Sequence, residues 1–127
     1  MYIRLSEREI EEMIRNYYLE IKNIKNAENF YFSLKIEFHD GTYDYDSYYT
    51  IDSKYYYCEE ISIFGKKHTL SKIHSLTSTE ISEIMDVLFE REGYKKLYGI
   101  YFENGIEFKV EKIDQMKLVK GINNESN

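Results

Sequence analysis

The amino-acid sequence predicts an α+β fold, a two-layer sandwich in which one antiparallel sheet packs against two helices. Two capping boxes, each followed by apolar residues at helical spacing, predict the helices. Two turn signals, each flanked by alternating apolar and polar residues, predict a β-meander and a C-terminal hairpin. The predicted order of elements is α-β-β-β-(β)-α-β-β, and the bracketed strand, within residues 67–76, has the weakest pattern.

The two helices are predicted from their N-terminal signals. Ser6-Glu7-Arg8-Glu9 is a capping box, and the apolar spacing after it predicts a helix over about residues 7–27. The second capping box, Thr77-Ser78-Thr79-Glu80, predicts a helix over about residues 79–92, and Gly93 is placed to end it.

The first hairpin is predicted around Asp40-Gly41, a dipeptide typical of tight β-turns. A two-residue loop there pairs Phe38 with Tyr43 and Tyr31 with Thr50, and it keeps the apolar residues on one face. The next turns are predicted at Asp52-Ser53-Lys54 and at Gly65-Lys66.

The last hairpin is predicted around Glu103-Asn104-Gly105. A three-residue loop with Gly105 in the left-handed conformation sets Ile100 opposite Phe108 and gives one apolar face. Together the patterns predict a core that contains Phe32, Leu34, Ile36, Phe38, Ile84, Leu88, Ile100 and Phe108.

Length and composition predict a single α+β domain over residues 1–120 and a polar, disordered C-terminal tail over residues 121–127. The single cysteine, Cys58, suits a reducing compartment, and the first residues lack the apolar segment of a secretory signal. We therefore expect a soluble protein of the cytoplasm, the host cytoplasm if a phage encodes it. No membrane contact is expected.

Sequence motifs give no support to an enzyme or a metal site. Asp44-x-Asp46 begins like a calcium loop, but Tyr49 and Tyr55 stand where that loop requires Gly and Glu. The acids beside Cys58 would raise the pKa of its thiol, and no phosphate-binding or nucleotide-binding glycine motif occurs. We expect no enzymatic activity, no metal and no cofactor.

Charge is concentrated in one part of the sequence. The chain has a net charge of −6, and the window 37–60 contains seven acids and one base, so it accounts for that whole charge. In the predicted register, the outward face of the meander is tyrosine-rich in one half and acidic in the other. Like charges opposite one another destabilise a sheet, whereas tyrosine is enriched at interfaces. This face is a candidate partner-binding surface, formed by Glu37, Asp40, Asp44, Asp46, Tyr48, Tyr56 and Glu60.

An acidic face predicts a basic partner and argues against direct binding of nucleic acid. In the stretch 40–60, DGTYDYDSYYTIDSKYYYCEE, the chain resembles in character the phage counter-defence proteins of the anti-CRISPR kind, which are short, acidic and free of catalytic motifs. That resemblance implies an inhibitor that blocks a basic, nucleic-acid-binding surface of a host nuclease or other defence effector. Immunity proteins that neutralise toxins have the same character.

Two alternatives remain open at this stage. In the first, tyrosines stack on a nucleotide while the basic cluster Lys66, Lys67, His68 and Lys72 holds its phosphate. In the second, the tyrosine-rich half of the sheet forms a homodimer.

Overall fold

The computed structural model describes residues 1–41 and 47–113, and it confirms the α+β class. A π-helical turn (Tyr17–Ile21) and a 3-10 helix (Lys25–Asn29) follow the first α-helix. The remaining elements, in chain order, are β1 (Tyr2–Ser6), α1 (Glu7–Asn16), β2 (Tyr31–His39), β3 (Tyr48–Ile63), β4 (Lys66–Leu76), α2 (Ser78–Arg91), β5 (Tyr94–Phe102) and β6 (Gly105–Lys112).

The strands form two antiparallel sheets rather than the single predicted sheet. The terminal sheet has the order β1-β6-β5, and the central sheet has the order β2-β3-β4. The predicted order lacked β1, whose five residues alternate too briefly to stand out. One cluster of buried side chains, drawn from both sheets and both helices, forms the core.

Both capping boxes are confirmed, with Ser6 and Thr77 as the N-caps. The second helix and its end at Gly93, which has a φ of +89°, are also as predicted. The first helix is shorter than the predicted 7–27: α1 gives way to the π-helical turn after Asn16, and the helical backbone ends at Asn23, which adopts a φ of +56°. The backbone N–H of Ile24 donates to the carbonyl of Tyr18, six residues back, and so satisfies a carbonyl of the π-helical turn.

The first predicted register is wrong. Tyr31 lies opposite Tyr56 rather than Thr50, so β3 is displaced by six residues along β2. Asp52-Ser53-Lys54 is not a turn, because Ser53 is buried between Leu34 and Leu76 inside one strand of sixteen residues. The predicted third strand and the described part of the predicted second strand thus belong to one strand, β3.

The next hairpin turns one residue earlier than predicted. Its loop is Phe64-Gly65, and both residues have positive φ, 51° and 77°, as a type I′ turn requires. The bracketed strand is β4, which is longer than the sequence pattern indicated and pairs with β3 from Lys66 to Leu76.

The register of the last hairpin is also wrong by one residue. Its loop is Glu103-Asn104, and Phe102 lies opposite Gly105. Gly105 is needed for close packing rather than for a positive φ, because a Cβ there would collide with the carbonyl oxygen of Leu5 on β1. The one-residue shift turns Ile100 outward and Tyr101 inward.

Six of the eight predicted core residues are confirmed as buried. Ile100 is wrong because of the register shift, and half of its surface is exposed (50%). Phe38 is wrong because it lies near the end of β2, beyond the helices, and is 45% exposed. The confirmed residues are Phe32, Leu34, Ile36, Ile84, Leu88 and Phe108.

Side chains of α1 cover the outer edge of β2. The carboxylate of Glu11 accepts the backbone N–H of Leu34 at 3.0 Å, and that of Glu7 accepts the N–H of Ile36 at 2.6 Å. Arg15, one turn further along α1, donates to the carbonyl of Phe30 at 3.0 Å. The three helix residues are spaced by four, so they share one helix face, and the backbone groups that they meet all belong to even-numbered residues in or just before β2. The helix thereby takes the place of a fourth strand.

We expect Leu34→Ala and Ile84→Ala each to lower the free energy of unfolding by about 2–5 kcal/mol, because each leaves a cavity in the core. Urea denaturation followed by circular dichroism measures the change. Ile100→Ala is the matched control and should cost less than about 0.5 kcal/mol, as exposed sites do. A large loss of stability in Ile100→Ala would mean that Ile100 is buried, as the three-residue loop predicts, and would contradict the two-residue loop.

We expect Glu7→Ala and Glu11→Ala each to cost about 1–3 kcal/mol, because each leaves a strand N–H without its acceptor. Glu12→Ala, which removes only an exposed ion pair with Arg15, should cost under about 1 kcal/mol. Glu7→Gln should lose less than Glu7→Ala, since the amide oxygen still accepts. Equal losses at Glu7 and Glu12 in urea denaturation would mean that the edge contact is not stabilising.

Candidate partner-binding surface

Among the described residues, the outward face of the central sheet keeps its predicted members but not its predicted rows. The displacement of β3 along β2 is an even number of residues, so every side chain stays on the expected face while its neighbours change. Glu37 lies opposite Thr50, and Lys35 lies opposite Asp52. The predicted rows of facing carboxylates therefore do not form among the described residues.

Three of the seven candidate residues lie together at one end of the central sheet, which we call the acidic end: Glu37, Asp40 and Tyr48. Tyr48 stacks on His39, with ring centroids 4.9 Å apart and planes at 17°. The hydroxyl of Ser47 donates to Asp40 at 3.2 Å. Glu37, Asp40 and Tyr48 are all exposed, and on the opposite face of the same end the exposed rings of Phe38 and Tyr49 lie 5.2 Å apart.

The other described candidates lie elsewhere along β3. Tyr56 is near the middle of the sheet, where its ring meets that of Tyr31 at 5.8 Å. Glu60 lies opposite Thr69 and ten residues along β3 from Thr50, the neighbour of Glu37. At about 3.3 Å per residue, roughly 33 Å of strand separates the two carboxylates. Asp44 and Asp46 lie outside the described residues.

The central sheet continues beyond β2 as a two-stranded ribbon. β2 begins at Tyr31, opposite Tyr56, whereas β3 and β4 remain paired as far as Ile63 and Lys66. We call residues 57–72 the arm. Its tip, Phe64, is fully exposed (100%), and it has exposed apolar residues on β3 and β4, Ile63 and Leu70. The sequence pattern did not predict the arm, because β3 was divided into two strands.

A cavity of about 450 Å³ lies at the base of the arm, at the point where β2 begins; we call it the notch. Its aromatic lining comes from neighbouring strand positions, and the ring of Phe30 lies 5.0 Å from that of Tyr57. The polar lining comes from the 3-10 helix and from β4. The lining residues are Asn26, Asn29, Phe30, Tyr31, Tyr56, Tyr57, Cys58, Ser71, Lys72 and Ile73.

The basic cluster expected to hold a phosphate is divided. Lys72 lines the notch, but its ammonium forms an ion pair with Glu59, which also raises the pKa of Lys72 through the hydrogen bond between them. Lys66 and Lys67 are at the tip of the arm, and His68 is opposite Ile61. The structure therefore does not bring this cluster together with the tyrosines.

Chemistry based on metal or thiol finds no geometric support in the described ranges. No group of three or more His, Cys, Asp or Glu side chains in residues 1–41 and 47–113 is arranged to hold a metal ion. Cys58 is exposed, and its Sγ lies 3.9 Å from the hydroxyl of Ser71.

The inner face of the central sheet packs on an aromatic cluster. Tyr18, in the π-helical turn, lies 6.1 Å from Phe32 and 5.4 Å from Tyr55 between ring centroids. Burial raises the pKa of Tyr18 to about 12, because the phenolate would lose its hydration there, and burial raises the pKa of Tyr55 as well. The outward tyrosines Tyr31 and Tyr48, by contrast, face solvent.

Comparison with protein-family models, with curated proteins and with solved structures finds no match to this chain. None of the helices in the described part of the chain has the length and apolar character of a membrane span.

We expect stability to fall as the pH rises from about 10 toward 12. Above the ordinary pKa of tyrosine, Tyr18 ionises in the unfolded chain but keeps its proton in the folded chain. Ionisation therefore stabilises the unfolded state and lowers the free energy of unfolding. Urea denaturation at a series of pH values measures the loss. Tyr18→Phe should flatten the dependence, and Tyr31→Phe, at an exposed position, should leave it unchanged. An equal response to both substitutions would contradict the assignment.

Proposed function

We propose that this protein is a small non-enzymatic binding protein that covers a basic, nucleic-acid-binding surface of a host protein and so inhibits it. One observation carries the proposal. The stretch 37–48 contains four acids and neither Lys nor Arg, and its described residues place Glu37 and Asp40 at one exposed end of a rigid sheet.

The composition of the acidic end fits an interface with a positively charged partner. Carboxylates increase the rate of association with such a partner, and exposed aromatic rings supply contact area once the surfaces meet. Tyr48 supplies such a ring on the outward face, and Phe38 and Tyr49 supply two more on the inner face of the same end. Asp44 and Asp46 belong to the connection between β2 and β3, so they add charge to the same part of the chain.

The anti-CRISPR-like character of the sequence agrees with this role. The partner that fits is a nuclease or other defence effector whose nucleic-acid channel is lined by Lys and Arg, since carboxylates on the acidic end stand in for phosphates there. A toxin with a basic active site fits the same chemistry. In both cases the protein acts by occupying the surface, without a cofactor.

A nucleotide-binding role has one supporting observation, the notch, whose volume lies within the roughly 300–1,000 Å³ of small-molecule sites. The ion pair of Lys72 with Glu59 weighs against it, because the carboxylate repels a phosphate. Native mass spectrometry distinguishes the two roles, because a nucleotide adds a defined mass to the isolated protein.

We expect Glu37→Lys with Asp40→Lys to weaken binding to a basic partner by about 10-fold or more. The probe is the heparin-binding fraction of a bacterial lysate, and this fraction is passed over the immobilised protein. The wild type should capture discrete proteins that double-stranded DNA releases, and the double variant should not.

Glu83→Lys with Glu90→Lys is the matched control, since both residues are exposed on α2 and the change in net charge is the same. The control is placed on α2 and not on α1, because the carboxylate of Glu11 on α1 covers the edge of β2 and its replacement would disturb the fold. Tyr48→Ala should weaken capture with little change in its salt dependence. Equal loss in both charge variants, or capture that DNA does not release, would contradict the proposal.

A further inference from the structure

We propose that two copies of this chain associate through the arm, with Phe64 of each copy filling the notch of the other. The inference is independent of the acidic end and rests on three features: an open strand edge, a register that this edge allows, and an exposed apolar tip.

The first feature is the direction of the backbone groups. On β2, the N–H groups of Leu34 and Ile36 donate to α1, so even-numbered residues point away from β3 and odd-numbered residues point toward it. The partner of odd-numbered Tyr31 is Tyr56, so even-numbered residues of β3 point toward β2. The same alternation continues along the arm, where there is no β2.

Three residues of the arm therefore direct their backbone groups to an open edge: Cys58, Glu60 and Ser62. Among the residues that the structure describes, none forms a backbone hydrogen bond with these groups outside the β3–β4 ladder. An open edge of this kind pairs readily with another extended strand.

The second feature is a single acceptable register for a two-fold pair of arms. Even-numbered residues must face even-numbered residues, so the axis passes through Glu60, Ile61 or Ser62. An axis at Glu60 places the Glu60 carboxylates of the two copies opposite each other. It also places Phe64 of the second copy opposite Tyr56, a position that Tyr31 of β2 already occupies.

An axis at Ile61 removes both conflicts. Glu60 then faces Ser62 of the second copy, Ile61 meets its own counterpart, and Phe64 of the second copy lies opposite Cys58, at the notch. With an axis at Ser62, Phe64 of the second copy does not reach the notch. It lies opposite Glu60 instead, where a phenyl ring meets a carboxylate. The axis at Ile61 is thus the longest overlap that fits.

The third feature is the match between tip and notch. Phe64 is fully exposed, and the notch has exposed apolar walls in Tyr31 and Ile73, each 66% exposed. A cavity of about 150 Å³ already holds a benzene ring, so the notch, at about 450 Å³, has room for the phenyl group. Association covers the apolar surface of both elements in both copies.

Cysteine cross-linking tests the register, because Cys58 is the only cysteine. In the proposed register the turn residue at position 64 comes beside Cys58 of the second copy, and two cysteines whose Cα atoms lie about 4.4–6.8 Å apart can form a disulfide. Under mild oxidation, the Phe64→Cys variant should therefore form a disulfide between Cys58 of one copy and the introduced thiol of the other, identified by peptide mass mapping. The Ser62→Cys variant should not join its introduced thiol to Cys58 of the second copy, a disulfide that an axis at Glu60 allows. The reverse result overturns the proposed register.

Sedimentation equilibrium of the unmodified protein tests the association itself. The wild type should form dimers, and Phe64→Ser should raise the dissociation constant by about tenfold or more. Ser62→Pro removes an N–H from the open edge, not from the β3–β4 ladder, so it should abolish dimers while circular dichroism stays native; Ser62→Ala should not.

A wild type that stays monomeric up to its solubility limit overturns the proposal. So do dimers that persist in both Phe64→Ser and Ser62→Pro, because the arm is then not the interface. A small molecule retained by the monomeric wild type in native mass spectrometry assigns the notch to a ligand instead.

Discussion

The contact of α1 with the edge of β2 is the constraint on which the rest of the structure depends. A sheet edge must be paired, covered or charged, and here two carboxylates and a guanidinium on one helix face cover it with hydrogen bonds. This contact fixes the helix along the strand and directs β2 to pair on its other side only. It also determines which edges stay open to partners, because the arm of β3 and β4 extends past the reach of α1.

The sequence predicted the elements better than their registers, and the physical reasons differ from place to place. Capping boxes are local, so Ser6 and Thr77 marked their helices correctly. Registers depend on distant contacts: Gly105 looked like a turn residue, but it is a glycine because β1 packs against it. Ser53 looked like part of a turn, but the core encloses it between two leucines. Neither requirement is visible within the hairpin itself.

The candidate surface followed the same rule. The face of the sheet on which a side chain lies depends only on the alternation along the strand, so a displacement of six residues leaves it unchanged. The neighbours across strands do change, so Glu60 lies on the arm, far from Glu37. What remains is a sheet with different chemistry at its two ends, carboxylates and aromatic rings at one and an apolar tip at the other. The length of β3 separates them, and no local pattern in the sequence predicted that length.

The pairing of β1 with β6 joins two segments that are about a hundred residues apart in the sequence, since Tyr2 lies opposite Lys109. Loop closure over such a separation is slow, whereas the β3–β4 hairpin needs only a two-residue turn. During synthesis, β1 and α1 are made before β6, the strand that pairs with β1, exists. The apolar side of α2 therefore stays uncovered until the last strands are made, and a product truncated before Gly105 leaves Phe89 without Phe108, its partner in β6. The quality-control systems of the cell recognise such fragments by their exposed hydrophobic surface.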